Sequence, residues 1–318
     1  MDLFLVNIID GLVYGLLLFM LSAGLTLIFS MMGVLNFAHA SFYMLGAYFA
    51  YQISLYLGFW MGLLIAPLLV GIAGAGIERY GLRRVHQFGH VPELIFTFGL
   101  ALLIEEVVQF FWGKNQMAYE APEILQFALF SIGPNSVAAY KVFMIFASVA
   151  IFLGLLYVLT RTRVGMIIQA ALTYPKTVEA LGHNVPMVFM GVFGVGTALA
   201  GVAGVIAGPV LGTFPGMAVL LGSIVFVTIV IGGLGSLWGA LVSSLLIGWL
   251  TTFAAASSFQ FADILLAIGM EMPENMSQSA LRDLWTLTMP QIGPILPYIL
   301  MVLILVVRPH GLFGKRDS

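Results

Sequence analysis

FLVNIIDGLVYGLLLFMLSAGLTLIFS runs from Phe4 to Ser30, and its reading decides the fold. Asp10 is the only charged residue in these 27. As a helix the run is about 40 Å long, enough to cross the hydrocarbon core of a bilayer. The rest of the chain is of the same kind. Of 318 residues, 61% are hydrophobic and 8% charged, the mean hydropathy is +1.08, and soluble domains carry about 25% charged residues. A membrane β-barrel would show alternating segments of about 10 residues, and these runs do not alternate. The expected fold is therefore an all-α polytopic membrane protein. The 36 glycines suit close helix approach in lipid. The chain has no cysteine, which excludes disulfides and thiol metal ligands. A net charge of −2 carries no nucleic-acid signature. Phe4–Ser30 lacks a basic n-region and a small-residue cleavage site, so it is expected to be a retained span.

The few charges set the topology. Arg79, Arg83 and Arg84, then Arg161, Arg163 and Lys176, then Arg308, Lys315 and Arg316 mark three cytoplasmic segments by the positive-inside rule. The segments Gly113 to Lys141 and Glu271 to Thr288 are acidic or mixed and fall outside. Three apolar runs precede Arg79: Phe4–Ser30, Ala40–Leu57 and Phe59–Ile77. Val91–Trp112 and Ala138–Thr160 follow, three crossings fit between Val188 and Met270, and Met289–Val307 returns inward. About eight or nine spans result, the lower number if a glycine-broken run is re-entrant. They form one transmembrane domain over residues 1–318 with a cytoplasmic loop at about 161–187. Two halves resemble each other weakly, each with a long Gly-rich helix and a break, "MMGVLNFAHA" and "AGPVLGTFPG". Paired broken helices of this kind point to a transport site near the midplane.

The first break continues as "GVLNFAHASFYMLGAY", Gly33 to Tyr48. Polar side chains at membrane depth are costly and face the bundle interior or a cavity. Asn36, His39 and Tyr43 are spaced three and four apart and would share one helix face. The spacing admits two readings: a face that hydrogen-bonds a polar solute, or a capped break with Asn36 or Ser41 as N-cap of the next helix. Glu105 and Glu106 lie in "FTFGLALLIEEVVQFFWG", a turn and a half before its end. They read as a near-interface pair reaching for water or a partner subunit, with a proton relay as the alternative. His183 reads as a solvated loop histidine.

Several chemistries are excluded. Gly113–Lys114 and Gly314–Lys315 are followed by Asn and Arg, so there is no phosphate-cradling P-loop. Neither H-E-x-x-H nor G-x-S-x-G occurs. No catalytic or metal-ligating set emerges, and any ATP hydrolysis belongs to another chain. The 161–187 loop contains "TVEALGHN", a short helix pattern closed by Gly182, where an αL C-cap is favoured. It reads as a connector or as a rigid knob for a partner.

The stretches "GLVYGLLLFMLSAGLTLIFSMMGVLNFAHASFYMLGAY", "TFGLALLIEEVVQFFWG", "VEALGHN…ALAGVAGV" and "GGLGSLWGA" occur in this order. Together they closely resemble the permeases of branched-chain amino acid ABC importers, specifically the smaller of the two permease types. The resemblance covers nearly the whole chain. It implies a transport subunit of the bacterial inner membrane, paired with a second related permease. Two cytoplasmic ATPases would bind ATP and Mg below, and a periplasmic solute-binding protein would deliver cargo above. It also implies that Gly165–Asn184 is the coupling segment, with Lys176, Thr177, Val178, Glu179, Ala180, Leu181 and Gly182 at the ATPase contact. The translocation path is assigned to Asn36, Phe37, His39, Ser41 and Tyr43, with Gly232 and Gly233. The chain departs from the family pattern near Gln169, at Thr173–Tyr174, Pro175 and His183, and at Glu105–Glu106, where amides or mixed polar residues are commoner. Relatives of the family also carry urea, short amides and aromatic acids. The rival reading is an ion- or proton-coupled secondary transporter using Glu105, Glu106 and His39. A passive channel would need a wide polar pore, which so few charges do not supply.

Overall fold

The computed structural model describes residues 2–33, 35–267 and 287–314. Helix α1 (Asp2–Met32) ends at Gly33, whose φ of 65° lies in the left-handed region. The chain turns through Phe37 and Ala38 into α2 (His39–Leu57), and Gly58 separates α2 from α3 (Phe59–Ile77). A π turn at Glu78–Leu82 and the short α4 (Arg83–His86) lead to α5 (His90–Trp112). Then come a hairpin of β1 (Ala128–Ile132) and β2 (Asn135–Ala138), and α6 (Ala139–Arg161). The loop beyond α6 holds α7 (Arg163–Thr173) and α8 (Pro175–Ala180). The second half comprises α9 (Val185–Leu211), α10 (Met217–Gly232), α11 (Leu237–Ala256), and a final helix Leu296–Val307 that follows a one-turn helix at Met289–Ile292.

Seven of the described helical stretches are long and apolar enough to cross a bilayer, Asp2–Ser30 and Val185–Leu211 being the most buried. Helix α10, with 16 residues, is shorter. Helix α2 has 19 residues but is the more polar. The expected outer segment Glu271–Thr288 falls largely on residues 268–286, and Lys315 and Arg316 fall on 315–318; both lie outside the described residues.

The two halves correspond in how they pack. Helix α1 lies along α11 as α9 lies along α3; α2 packs on α9 as α10 packs on α1; and α5 flanks α2 as the final helix flanks α10. Small residues make this possible. A Cβ on Gly46 would strike the backbone of Gly201, and one on Gly248 would strike Gly11 and Gly15. Helices that touch backbone to backbone gain dispersion contacts that lipid cannot match.

Both faces of the bundle can be identified from contacts. Arg83 donates to the Pro186 carbonyl at 2.7 Å, Ser30 to the Gly235 carbonyl at 3.0 Å, and Leu312 N–H to the Ile231 carbonyl at 2.8 Å. These join the basic segments at one end, the cytoplasmic one. At the other end Met117 bridges Thr213, and Lys141 pairs with Asp10 at 2.5 Å. Helix α1 thus enters from outside and α9 from inside, which makes the halves inverted.

The cytoplasmic end holds two buried carboxylates. In the π turn, residues five apart stack, which sets Arg83 on Glu78 with a bidentate pair at 3.1 and 2.6 Å. The Glu78 side chain is 2% exposed. Glu93 is buried under His86 and His90. Arg83→Met would leave the Glu78 charge without its partner, and removing one member of a buried pair costs about 3 kcal/mol or more. Thermal unfolding of the detergent-solubilised variant should therefore begin several degrees lower, and an unchanged transition would show that Glu78 needs no guanidinium.

Candidate functional site

The break after α1 does more than join two spans. His39 Nε2 lies 3.0 Å from the Leu21 carbonyl, eleven residues before the end of α1 at Met32. Helix α2 therefore begins about 16 Å short of the cytoplasmic end of α1. Because a carbonyl oxygen only accepts, the histidine carries its proton on Nε2. In the neutral ring Nδ1 is left as an acceptor.

The start of α2 is a turn rather than a side-chain cap. Its N-cap is Ala38, and neither Asn36 nor Ser41 fills that role. Asn36 sits two residues earlier, with Oδ1 accepting from Ala38 N–H at 3.0 Å and its backbone carbonyl accepting from His39 N–H at 3.1 Å. That is an Asx turn, the short-range alternative to helix that this residue favours. The break therefore turns Asn36 off the helix face shared by His39 and Tyr43.

Around this turn lies a cavity of about 390 Å³ between α1, the start of α2, α5, α10 and the final helix. Asn36, Phe37, His39 and Ser41 line it. Its walls are mostly apolar, with Leu25, Phe98, Leu102, Val219 and Phe226 among them. Phe37 is edge-on to Phe98 at 6.4 Å and stacked on Phe226 at 6.5 Å. Asn36 Nδ2 and His39 Nδ1 are buried and have no partner among the described residues. Since an unpartnered buried polar atom costs roughly 1–3 kcal/mol, a polar ligand group reaching them would recover part of that.

Three residues assigned to the path lie elsewhere. Tyr43 is fully buried, and its backbone carbonyl lies where a Cβ on Gly204 of α9 would fall. Gly232 packs on Gly239, and Gly233, at φ 97°, closes α10 against His310 and Gly314. All three serve helix packing, and none borders the cavity.

Sequence reasoning passed over other walls of the same cavity: Phe98, Phe226, Ser223 and Tyr298. It also treated Glu105 and Glu106 as one pair, whereas the helix separates them. Glu105 lines the cavity and is half-buried, while Glu106 is exposed on the outer face of α5. The available signal was spacing, since Phe98, Leu102 and Glu105 stand three or four apart on one helical face. Among the described residues, no group of three or more His, Asp or Glu side chains is placed to hold a metal.

The cytoplasmic loop has its own construction. Pro175 at the first position presets the backbone of α8. At the other end His183 N–H bonds the Val178 carbonyl and Gly182 N–H the Glu179 carbonyl, with Gly182 at φ 88°. This is a Schellman closure, as "TVEALGHN" predicts. Val178 points inward onto Ala171 and Val185, so it anchors the helix to its own chain. Lys176, Thr177, Glu179, Ala180 and Leu181 face solvent, Leu181 with 74% of its surface exposed. His183 is also exposed, at the rim of a groove between α6, α7 and α9.

The family of branched-chain amino acid transport system permease components matches residues 7–305, and the chain belongs to it. Among curated proteins, it is 27% identical to the high-affinity branched-chain amino acid transport system permease protein BraD of Pseudomonas aeruginosa, covering 99% of this chain and 97% of that one. It is 25% identical to the LivH permease of Escherichia coli K12, over 99% and 96% of the two chains. A probable LivH of Methanocaldococcus jannaschii is 24% identical over 96% and 92%. No solved structure matches it. The chain is thus a multi-pass membrane permease component of the ABC-importer class, and not an enzyme.

Proposed function

We propose that this chain forms half of the translocation unit of an ATP-driven importer for branched-chain amino acids or related small amino acids and amides. The observation that carries the reading is the cavity at the foot of α2. There a broken helix brings Asn36, Phe37, His39 and Ser41 to an apolar space at membrane depth. Leucine-like solutes suit such a space, with an apolar body against the phenylalanines and a polar end at the turn.

The other half is a second, related permease. Two cytoplasmic ATPases bind ATP and Mg, one of them on the α8 knob, and a periplasmic binding protein delivers the solute. Nucleotide binding favours one of two packings of the inverted halves, and the helix breaks let part of each half move. Tagging the chain in its own cells and purifying it in mild detergent should recover an ATPase and a related permease. Recovery of the chain alone, together with uptake that needs no ATP, would establish the secondary-transport reading instead.

A further inference from the structure

We propose that Glu105 receives the ammonium group of the solute and makes the cavity selective for solutes that carry a positive charge. The inference rests on reading the cavity as the path.

The charges at the cavity are one-sided. Among the described residues, Glu105 is the only one lining it with a formal charge, and no lysine or arginine borders it. Among the described residues no ion pair holds its carboxylate. Its one side-chain partner is Gln109, whose amide donates at 3.4 Å. A carboxylate half-buried in apolar surroundings at membrane depth is costly unless something compensates it. A structural carboxylate in this chain gets that compensation, as Glu78 does from Arg83. Glu105 does not among the described residues, and it lines the cavity at the Asn36 turn.

The neighbouring groups agree in sign. His39 Nδ1 is an acceptor in the neutral ring, since Nε2 donates to the Leu21 carbonyl. The faces of Phe37, Phe98 and Phe226 carry the negative end of the ring quadrupole and attract a cation. Against these stands, among the described residues, one buried unpartnered donor at the cavity, Asn36 Nδ2, enough to meet a carboxylate at the other end of a zwitterion. An amino acid would lie with its ammonium toward Glu105, its carboxylate toward the Asn36 turn and its side chain on the apolar wall. An anion without an ammonium group would meet a net negative field.

The absence of native cysteine allows a direct test on the assembled transporter. Ser223 lines the cavity from α10. Ser223→Cys is treated with a cationic and an anionic methanethiosulfonate of similar size, and the two labelling rates are compared. Their ratio cancels any effect of the surroundings on the thiol itself. The proposal predicts a cationic reagent roughly tenfold faster than the anionic one, the scale of one nearby charge at intermediate dielectric. Adding Glu105→Gln should bring the ratio close to that of free cysteine. It should also lower the maximal rate of leucine uptake at saturating loaded binding protein. Labelling that blocks uptake with equal rates for both reagents, and no response to Glu105→Gln, would overturn the role of Glu105 while leaving the path intact. Full labelling by either reagent with uptake unimpaired would overturn the path reading itself.

Discussion

Ala180→Arg should reduce ATP-driven uptake to background while leaving the membrane bundle folded. The side chain at 180 is exposed on a helix of six residues, too short to persist alone in water. What holds it is on the inner side, where Val178 packs on Ala171 and Val185 and the Schellman turn at Gly182 closes the helix. The outer side, with Glu179, Ala180 and the largely exposed Leu181, is therefore free to fit a groove on an ATPase without disturbing the anchor. An apolar plug with a polar rim is a common hot-spot arrangement, and one such contact is worth about 2–4 kcal/mol. A buried arginine in place of a methyl group forfeits that and adds an unpaired charge, so binding should weaken by a hundredfold or more. Pull-down of the ATPase with the variant, run beside vesicle uptake, gives the result. Normal binding and uptake would remove α8 from the docking surface.

His39→Leu should lower uptake about tenfold or more, with assembly and ATPase binding preserved. The imidazole holds the foot of α2 to the Leu21 carbonyl at membrane depth, and its other nitrogen has no partner among the described residues. Leucine keeps the volume and removes both functions. The lost bond is worth only about 1 kcal/mol to the fold, so the bundle should survive. The position of the Asn36 turn relative to the cavity should not, because that bond fixes where α2 begins. Uptake at the wild-type rate would reduce the stretch to a structural bend.

Much of this was legible in the sequence, for reasons specific to particular residues. The apolar runs predict the spans because a bilayer imposes length and composition on any helix that crosses it. Gly33 and Gly182 predict the break and the C-cap because both positions need positive φ, and the basic clusters predict which end lies in the cytoplasm. What escaped depends on long-range packing. Nothing local indicates that α2 starts level with Leu21, or that Tyr43 is fully buried away from the cavity while its neighbour Phe42 meets Phe193 of α9. The resemblance puts Val178 at the ATPase contact, but α7 and α9 supply a closer apolar surface and it turns inward. Glu105 and Glu106 are adjacent in sequence and were read together, yet a helix turns about 100° per residue and gives them different surroundings. The buried Glu78 and Glu93 were missed because the bidentate Glu78–Arg83 pair depends on a π turn. The hairpin over β1 and β2 was read only as a polar outer segment.

Transport through this chain should be driven by ATP hydrolysis on separate subunits. This is tested most directly by co-reconstituting the tagged complex into liposomes with radiolabelled leucine, the binding protein outside and ATP inside. The account predicts accumulation that requires hydrolysable ATP and loaded binding protein and is indifferent to a protonophore. Accumulation that proceeds without ATP and collapses with the proton gradient would contradict it.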